Sequence, residues 1–258
     1  MRLHHVWEPS HFVDGQSTTI ETAAELLAYD ELLLNWMDQE RPDFGLLRLW
    51  EAPSTFVVLG YGKSVSADVH VGHCSEDGVS ILRRCSGGGT VLQTKGCLSY
   101  SLILPMTLSS ELATIQSTTQ AIMSAQARHL EAFLGMPVSV RGTSDLTMDT
   151  LKISGNAQRR GRDSVLFHGT VLCQVDIGEI GRYLQIPSYQ PEYRKNRSHG
   201  DFLRSIDRSP AELMAHLKAA WLSESVSESE AHLPYTDWTV GLRLLCERYL
   251  SFDFVNLR

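Results

Sequence analysis

The sequence has no apolar run approaching the roughly 20 residues of a membrane-spanning helix. Its opening stretch, MRLHHVWEPSHFVDG, lacks the apolar middle of a secretory leader. Positive charge is scarce. The chain has 23 Lys and Arg against 30 Asp and Glu, a formal net charge of −7, which argues against a protein whose main work is gripping nucleic acid. Cysteines are few and oddly numbered. Cys74, Cys85, Cys97, Cys173 and Cys246 form no CxxC pair and fit a reduced, cytoplasmic protein with free thiols. In HVGHC, the residues His70, His73 and Cys74 lie close together, but no fourth ligand follows at zinc spacing. Internal repeats are absent, and so are both common nucleotide fingerprints, GxGxxG and GxxxxGK[ST].

What is present is ordinary globular composition, 43% hydrophobic and 21% charged over 258 residues, enough to bury a large core. Residues 17–40 carry Leu26, Leu27, Leu32, Leu33, Leu34 and Met37 at helical spacing, with Ser17 or Thr18 as the expected cap. Short apolar runs predict strands at GLLRLWEAP, TFVVLG, VSILRR and CLSYSLILP. The longest helical pattern runs from a cap at Ser109 or Ser110 to a stop at Gly135. Strands follow at PVSVRG, KISGNAQRR, where Gly155 is expected to end the strand around Lys152, and SVLFHGTVLCQVD. Helices are expected at 211–222 and 238–249, on either side of an acidic, serine-rich linker, SESVSESEAHLP. Strands and helices mix without regular βαβ alternation, which predicts an α+β fold.

Three places concentrate chemistry. RRCSGGGT (83–90) gives up side chains at Gly87, Gly88 and Gly89 beside Arg84. Glycine allows positive φ and close approach, and its amides can cradle an anion. A flexible turn is the plain alternative, though three glycines between apolar strands exceed what a turn needs. Lys152, before Ser154 and Gly155, sits among apolar neighbours as either an edge-strand charge or a buried working ammonium. His168, before Gly169 and Thr170, is either a satisfied polar group or part of a site. All three are expected at strand ends, where Arg as a fork and Lys as a point charge would suit a carboxylate or phosphate.

Taken in order, RRCSGGGTVLQTKGCLSYS, SDLTMDTLKISGNAQRR and LFHGTVL resemble the lipoate–protein ligase A and octanoyltransferase family, which shares its fold with biotin–protein ligases. The similarity runs from about the first helix to the region after HGT. It implies an α+β catalytic domain with a mixed central sheet over residues 1–205 and a helical extension over 206–258. It also implies an acyl tunnel, and attachment of lipoate or octanoate to a lysine of a lipoyl domain, through ATP and Mg²⁺ as co-substrates. That domain would belong to a 2-oxoacid dehydrogenase subunit or a glycine cleavage H protein, with a separate accessory subunit as a further partner, and neither nucleic acid nor membrane is expected.

By the same resemblance, Lys152 would contact the activated carboxyl. Arg84 and the Gly89, Thr90, Val91 and Leu92 backbone would contact nucleotide and acyl phosphate. Gly87 and Gly88 would keep that wall thin, so that a branched side chain at Gly88 would harm binding more than stability. Asp145 would lie near the phosphates and Mg²⁺, Ser154 and Gly155 beside Lys152, and His168, Gly169 and Thr170 beside the acyl pocket. The short relatives include acyltransferases that use a cysteine in place of ATP, but VRGTSDL has no cysteine where one is expected. A cysteine-dependent transferase and a non-catalytic lipoyl-domain binder remain the alternatives. The basic clusters Arg159, Arg160, Arg162 and Arg194, Lys195, Arg197 are expected as solvated turns or as a docking face for an acidic carrier.

Overall fold

The computed structural model describes residues 3–6, 11–13, 16–18, 22–223 and 238–257. The chain starts with β1 (Leu3–Val6) and a hairpin of β2 (His11–Val13) and β3 (Gln16–Thr18). Ser17 and Thr18 therefore lie in a strand, and Thr22 caps helix α1 (Ala23–Glu40). The Thr22 hydroxyl accepts from the Glu25 amide at 3.2 Å and the Glu25 carboxylate accepts from the Thr22 amide at 2.9 Å. This reciprocal box satisfies two of the amide donors that a helix start leaves without partners. Next come β4 (Gly45–Glu51), β5 (Phe56–Leu59), α2 (Val65–Asp68), α3 (Val71–Glu76), β6 (Ser80–Arg83), β7 (Val91–Gln93) and β8 (Cys97–Pro105).

Two 3₁₀ turns, Met106–Leu108 and Ser110–Leu112, precede α4 (Ile115–Leu134). Ser109 accepts from the Glu111 amide and so holds the second turn, while Thr114, paired with Ser117, caps α4. Gly135 closes α4 at φ 66°, the left-handed residue expected there. Then follow β9 (Ser139–Arg141), β10 (Asp145–Met148), β11 (Leu151–Arg160), β12 (Ser164–Leu172), α5 (Ile177–Tyr183), α6 (His199–Phe202), α7 (Pro210–Ser223), α8 (Trp238–Leu250) and α9 (Phe252–Val255). β11 does not end at Gly155, because its pairing with β12 continues to Arg160 opposite Val165. Residues 224–234 of the acidic stretch lie outside the described residues.

Seven strands form the central sheet in the order β1-β4-β8-β12-β11-β10-β9, with β1 and β4 parallel and the remaining pairs antiparallel. A three-stranded sheet, β6-β5-β7, stands beside it. Side chains alternate across the pleat, and each face has its own cover. Leu98, Leu102 and Phe167 pack with Ile122 and Leu130 of α4 and Leu213 and Trp221 of α7. Leu46, Ile103 and Leu166 pack with Leu33 and Leu34 of α1 and Tyr249 of α8. Burying one such side chain contributes roughly 1.5–3 kcal/mol.

On the α1 face two cross-strand rows break the apolar pattern. Arg48 pairs with Ser101, Ser101 with His168 and His168 with Ala157, while Trp50 pairs with Ser99, Ser99 with Thr170 and Thr170 with Gly155. Polar groups in mid-sheet are expensive to bury without partners. This stripe is where the fold opens into a cavity.

Candidate active site

The cavity has a volume of about 490 Å³ and lies against that stripe, between α1, the glycine loop and the segment after α5. Arg84, Gly88, Gly89, Thr90, Val91, Asp145, Lys152, Gly155, His168, Gly169 and Thr170 all line it. Residues from three separate motifs therefore meet in one space.

The glycine loop follows β6, and Arg84 organises it from within. Its Nε donates to the Ser86 hydroxyl at 3.1 Å and to the Gly87 carbonyl at 3.1 Å, and its Nη2 donates to the carbonyls of Gly87 at 2.6 Å and Gly89 at 2.8 Å. Arg84 thus clamps the loop's own carbonyls, where the sequence led us to expect a fork aimed at a ligand. Burial lowers its pKa to about 10, so it is still a cation at neutral pH. Gly87 uses its carbonyl in this clamp and does not line the cavity.

Gly88 adopts φ +88°, and a Cβ there would meet Arg84 Nη2 at 2.8 Å. A branched residue at Gly88 would strain the backbone and push on the clamp, so its effect would not be confined to binding. Gly89 lines the cavity, is not constrained to positive φ, and would place a Cβ in open space. If the cavity takes the acyl or adenylate ligand that the sequence resemblance implies, Gly89→Val lowers affinity for lipoate or an acyl-adenylate analogue by about tenfold or more, with stability within about 0.5 kcal/mol of wild type. Calorimetric titration beside a thermal melt checks this, and unchanged affinity would return the loop to a plain turn.

His168 reaches the same loop. Its Nε2 lies 2.6 Å from the Ser86 hydroxyl oxygen. It stands in the middle of β12, not at a strand end. Burial, and then the Arg84 charge, depress its pKa from 6.5 to about 4, against a smaller upward pull from Asp30. The folded protein thus holds a neutral imidazole that the unfolded chain would protonate more readily. Its stabilising contribution is full above pH 6.5 and is lost as the pH falls toward 4, by about 1.4 kcal/mol per pH unit. Thermal melts from pH 7 to 4.5 should show a steeper loss in wild type than in His168→Gln, and parallel curves would refute the neutral assignment.

Across the cavity, Lys152 Nζ and Asp145 Oδ1 form a 2.7 Å ion pair. Tyr193 donates to the other Asp145 oxygen at 2.7 Å. Lys152 is the second residue of β11, and its carbonyl accepts from the Arg204 amide at 2.9 Å. Gly155 explains the local motif. A Cβ there would lie 2.8 Å from Lys152 Nζ and 2.9 Å from its Cε, so the missing methyl is the space the lysine head occupies. Ser154 is buried with its hydroxyl 3.5 Å from Asn156 Oδ1, and Leu92 packs into the core under the small sheet. Neither lines the cavity.

Several lining residues escaped the sequence reading. Asn156 Oδ1 accepts from Tyr100 at 2.6 Å, and Asn156 Nδ2 donates to the Ser144 carbonyl at 2.8 Å. A Cβ at Gly169 would collide with Asn156 Oδ1, so the glycine after His168 makes room for that bond. Thr170 accepts from Gln93 at 2.8 Å, and Thr90 donates to Asp68 at 2.5 Å. At the α1 end, Asp30 bridges Arg48 Nη1 and the Ser101 hydroxyl, each at 2.7 Å, beside Leu27, Trp50 and Leu166. Serines two apart in CLSYSLILP, facing His168 and Thr170, were the available signal.

The basic clusters are largely structural. Arg160 donates to the Leu112 carbonyl at 2.8 Å, and Arg159 to that of Cys85 at 3.0 Å. Arg194 is buried at 4.6 Å from the Phe202 ring, and Arg197 donates to the carbonyls of Thr150 and Tyr193. These four heads are engaged within the chain, while Arg162 and Lys195 lie exposed in turns as expected. His73 Nδ1 lies 2.8 Å from the Arg182 carbonyl, and among the described residues no group of three His, Cys, Asp or Glu is placed to hold a metal.

The mid-sheet polar stripe, the glycine loop and the lysine–aspartate pair thus enclose one cavity on a mixed, mostly antiparallel sheet. The family model of the lipoyl protein ligase A/B catalytic domain matches residues 22–220, and the chain belongs to that family. It is 26% identical over 217 residues to a probable lipoate-protein ligase A of Mycoplasma pneumoniae, covering 76% of this chain and 62% of that protein. It is 26% identical to lipoate-protein ligase LplJ of Bacillus subtilis, covering 94% of this chain and 72% of that one. The chain thus spans under two thirds of the mycoplasmal relative's length.

Among solved structures, a bi-partite lipoate protein ligase of Thermoplasma acidophilum superposes with a TM-score of 0.76 at 19% identity, covering 100% of this chain and 96% of that one. A lipoate-protein ligase A bound with ATP gives 0.71 at 21%, covering 91% and 94%. At these identities the superpositions show the fold.

Proposed function

We propose that this chain joins lipoate, or octanoate, to ATP as an acyl-adenylate and passes the acyl group to a lysine of a lipoyl domain. The observation that carries this reading is the convergence of Lys152, Asp145 and the glycine loop on one cavity, whose lining thiol, Cys85, is pushed up to about 12 by burial. A carboxylate oxygen would attack the α-phosphorus as the bond to pyrophosphate breaks. The carrier amine would then attack the acyl carbon, releasing AMP and a proton. The first step brings two anions together, and preorganised cations lower its barrier without reorganising. Lys152 is the group placed to do so, with Arg84 fixing the loop amides around the phosphate.

The relatives' names and the ATP-bound neighbour support ATP and lipoate as co-substrates. Mg²⁺ would arrive on the nucleotide's phosphates, near Asp145, whose carboxylate Lys152 and Tyr193 hold in place. The T. acidophilum ligase was solved within a lipoylation system that includes its E2 lipoyl domain, which supports such a domain as carrier here, a 2-oxoacid dehydrogenase subunit or a glycine cleavage H protein. That ligase's bi-partite nature supports a separate accessory subunit. No helix among the described residues is long and apolar enough to cross a membrane, and five free cysteines support a cytoplasmic setting. We place residues 206–258 as an extension of the same catalytic domain.

The alternative transferase needs a thiolate. Burial pushes Cys85, Cys97 and Cys173 up to about 12 and Cys246 up to about 11, the reverse of an activated nucleophile. The deciding experiment mixes the protein with a lipoyl domain and lipoate, with and without ATP, and weighs the carrier by mass spectrometry. A mass gain that needs ATP supports the proposal, and an equal gain without ATP, or one from an added acyl thioester donor in place of lipoate and ATP, refutes it.

A further inference from the structure

Helices α8 and α9 lie beyond residue 220, where the match to the family's catalytic domain ends. Two buried charges nevertheless tie them to the glycine loop. The first is Arg83, which is fully buried one residue before the loop's own clamp. Its Nε donates to the Phe254 carbonyl at 2.9 Å and its Nη2 to the Val255 carbonyl at 2.7 Å. Its Nη1 donates in the opposite direction, to the carbonyls of Gly60 at 2.9 Å and Tyr61 at 2.8 Å. Those two residues in turn back the loop. The Tyr61 amide donates to the Ser86 carbonyl at 2.8 Å, and Gly60 packs so closely on the Gly88 carbonyl that a Cβ would overlap it.

The second tie is Glu31, which is 2% exposed. It is paired with Arg248 and accepts from the Tyr249 hydroxyl at 2.8 Å, both from α8. It also lies 3.5 Å from Arg159, the residue that holds the Cys85 carbonyl at the loop's entrance. The approach to the loop, at Arg83 and at Cys85, is therefore tied twice to the C-terminal helices.

We propose that α8–α9 is a strut of the ligand-binding loop and that Arg83 is the positioning residue through which it acts. Buried guanidinium donors shared between two backbone segments leave unsatisfied groups on both sides if either segment moves. Displacing α9 therefore loosens residues 60–61, and with them the wall at Gly88. The ligand consequence rests on the proposed function, but the loop consequence does not.

The test uses the full chain with Phe254→Ala, which removes the packing of that ring on Tyr249 and Arg248 and touches nothing in the cavity. Arg83→Lys, with one nitrogen where four carbonyls now have partners, is the second variant. Amide hydrogen exchange should speed up about tenfold at residues 60–61 and 86–90 in both, with β11 and β12 unchanged. KM for lipoate or ATP should rise about tenfold while kcat stays within about threefold, since a loosened loop costs binding before chemistry. A purely structural role would lower the melting temperature and leave loop exchange and KM in the folded protein unchanged, and that result overturns the proposal. If Arg83→Lys loses protection everywhere, Phe254→Ala decides. Faster loop exchange in a protein that never uses lipoate would count against the functional reading alone.

Discussion

Lys152→Ala is expected to reduce acyl transfer by about three orders of magnitude or more, in a protein that melts within a few degrees of wild type. At an effective dielectric near 20, one charge at about 4 Å is worth roughly 4 kcal/mol, and each 1.36 kcal/mol off a barrier is about tenfold in rate. The stability effect is smaller because Asp145 keeps its bond from Tyr193. Lys152→Arg should not rescue activity. The ammonium fills the space left by the missing methyl of Gly155, and a planar guanidinium is too broad for it. Gly155→Ala gives an independent check by evicting the lysine head while leaving its charge, and it should reproduce most of the loss. Single-turnover assays of acyl-AMP formation measure both. A folded Lys152→Ala protein with activity within tenfold of wild type would remove Lys152 from the chemistry.

The second large effect is the contrast between ATP removal and cysteine removal. Without ATP, lipoyl transfer from free lipoate should fall to background. By contrast, Cys85→Ala, Cys97→Ala and Cys173→Ala should each keep activity within about threefold while losing about 1 kcal/mol of stability, the usual scale for a trimmed core residue. Cys85 is the informative member because it alone among the described cysteines lines the cavity. Its neighbours raise the energy of a thiolate: burial dominates and Glu31 adds repulsion, with Arg159 opposing. An acyl adduct mapped by mass spectrometry to Cys85, and lost in Cys85→Ala, would reverse the assignment to the transferase class.

Much of this site could be read before any coordinates. RRCSGGGT, SGN and HGT were legible because each departs from what its element alone would choose. Their meeting in one cavity follows from strand pairing, which puts His168 opposite Ala157 and Gly155 opposite Thr170. What each residue does was less legible. Arg84 reads as a ligand fork because guanidinium suits anions, yet its donors serve the loop's own carbonyls. Nothing in local sequence says where a carbonyl will point. Gly155 reads as the end of a strand and Gly169 as part of the wall beside an acyl pocket, but each makes room for a neighbour's side chain, Lys152 and Asn156. Helix starts were misplaced by a few residues at Ser17 or Thr18 and at Ser109 or Ser110 because several hydroxyls compete for each cap, and Thr18 with Glu21 spells the same capping pattern as Thr22 with Glu25. The strut could not be read at all. Arg83 and Phe254 are distant in sequence, and their link runs through backbone atoms that carry no residue signature.

The pairing of Lys152 with Asp145 has a consequence for how ligands arrive. At rest the two charges cancel within 2.7 Å, so beyond a few ångströms the pair is a dipole whose field dies quickly and which salt has little left to screen. On a chain of net charge −7, this lysine casts no long-range lure for ATP or for stray phosphate. Its attraction is felt once an anion is already inside the cavity and close enough to share the ammonium with the carboxylate. This lysine therefore acts on a ligand by contact, after entry, and adds nothing to the rate of encounter.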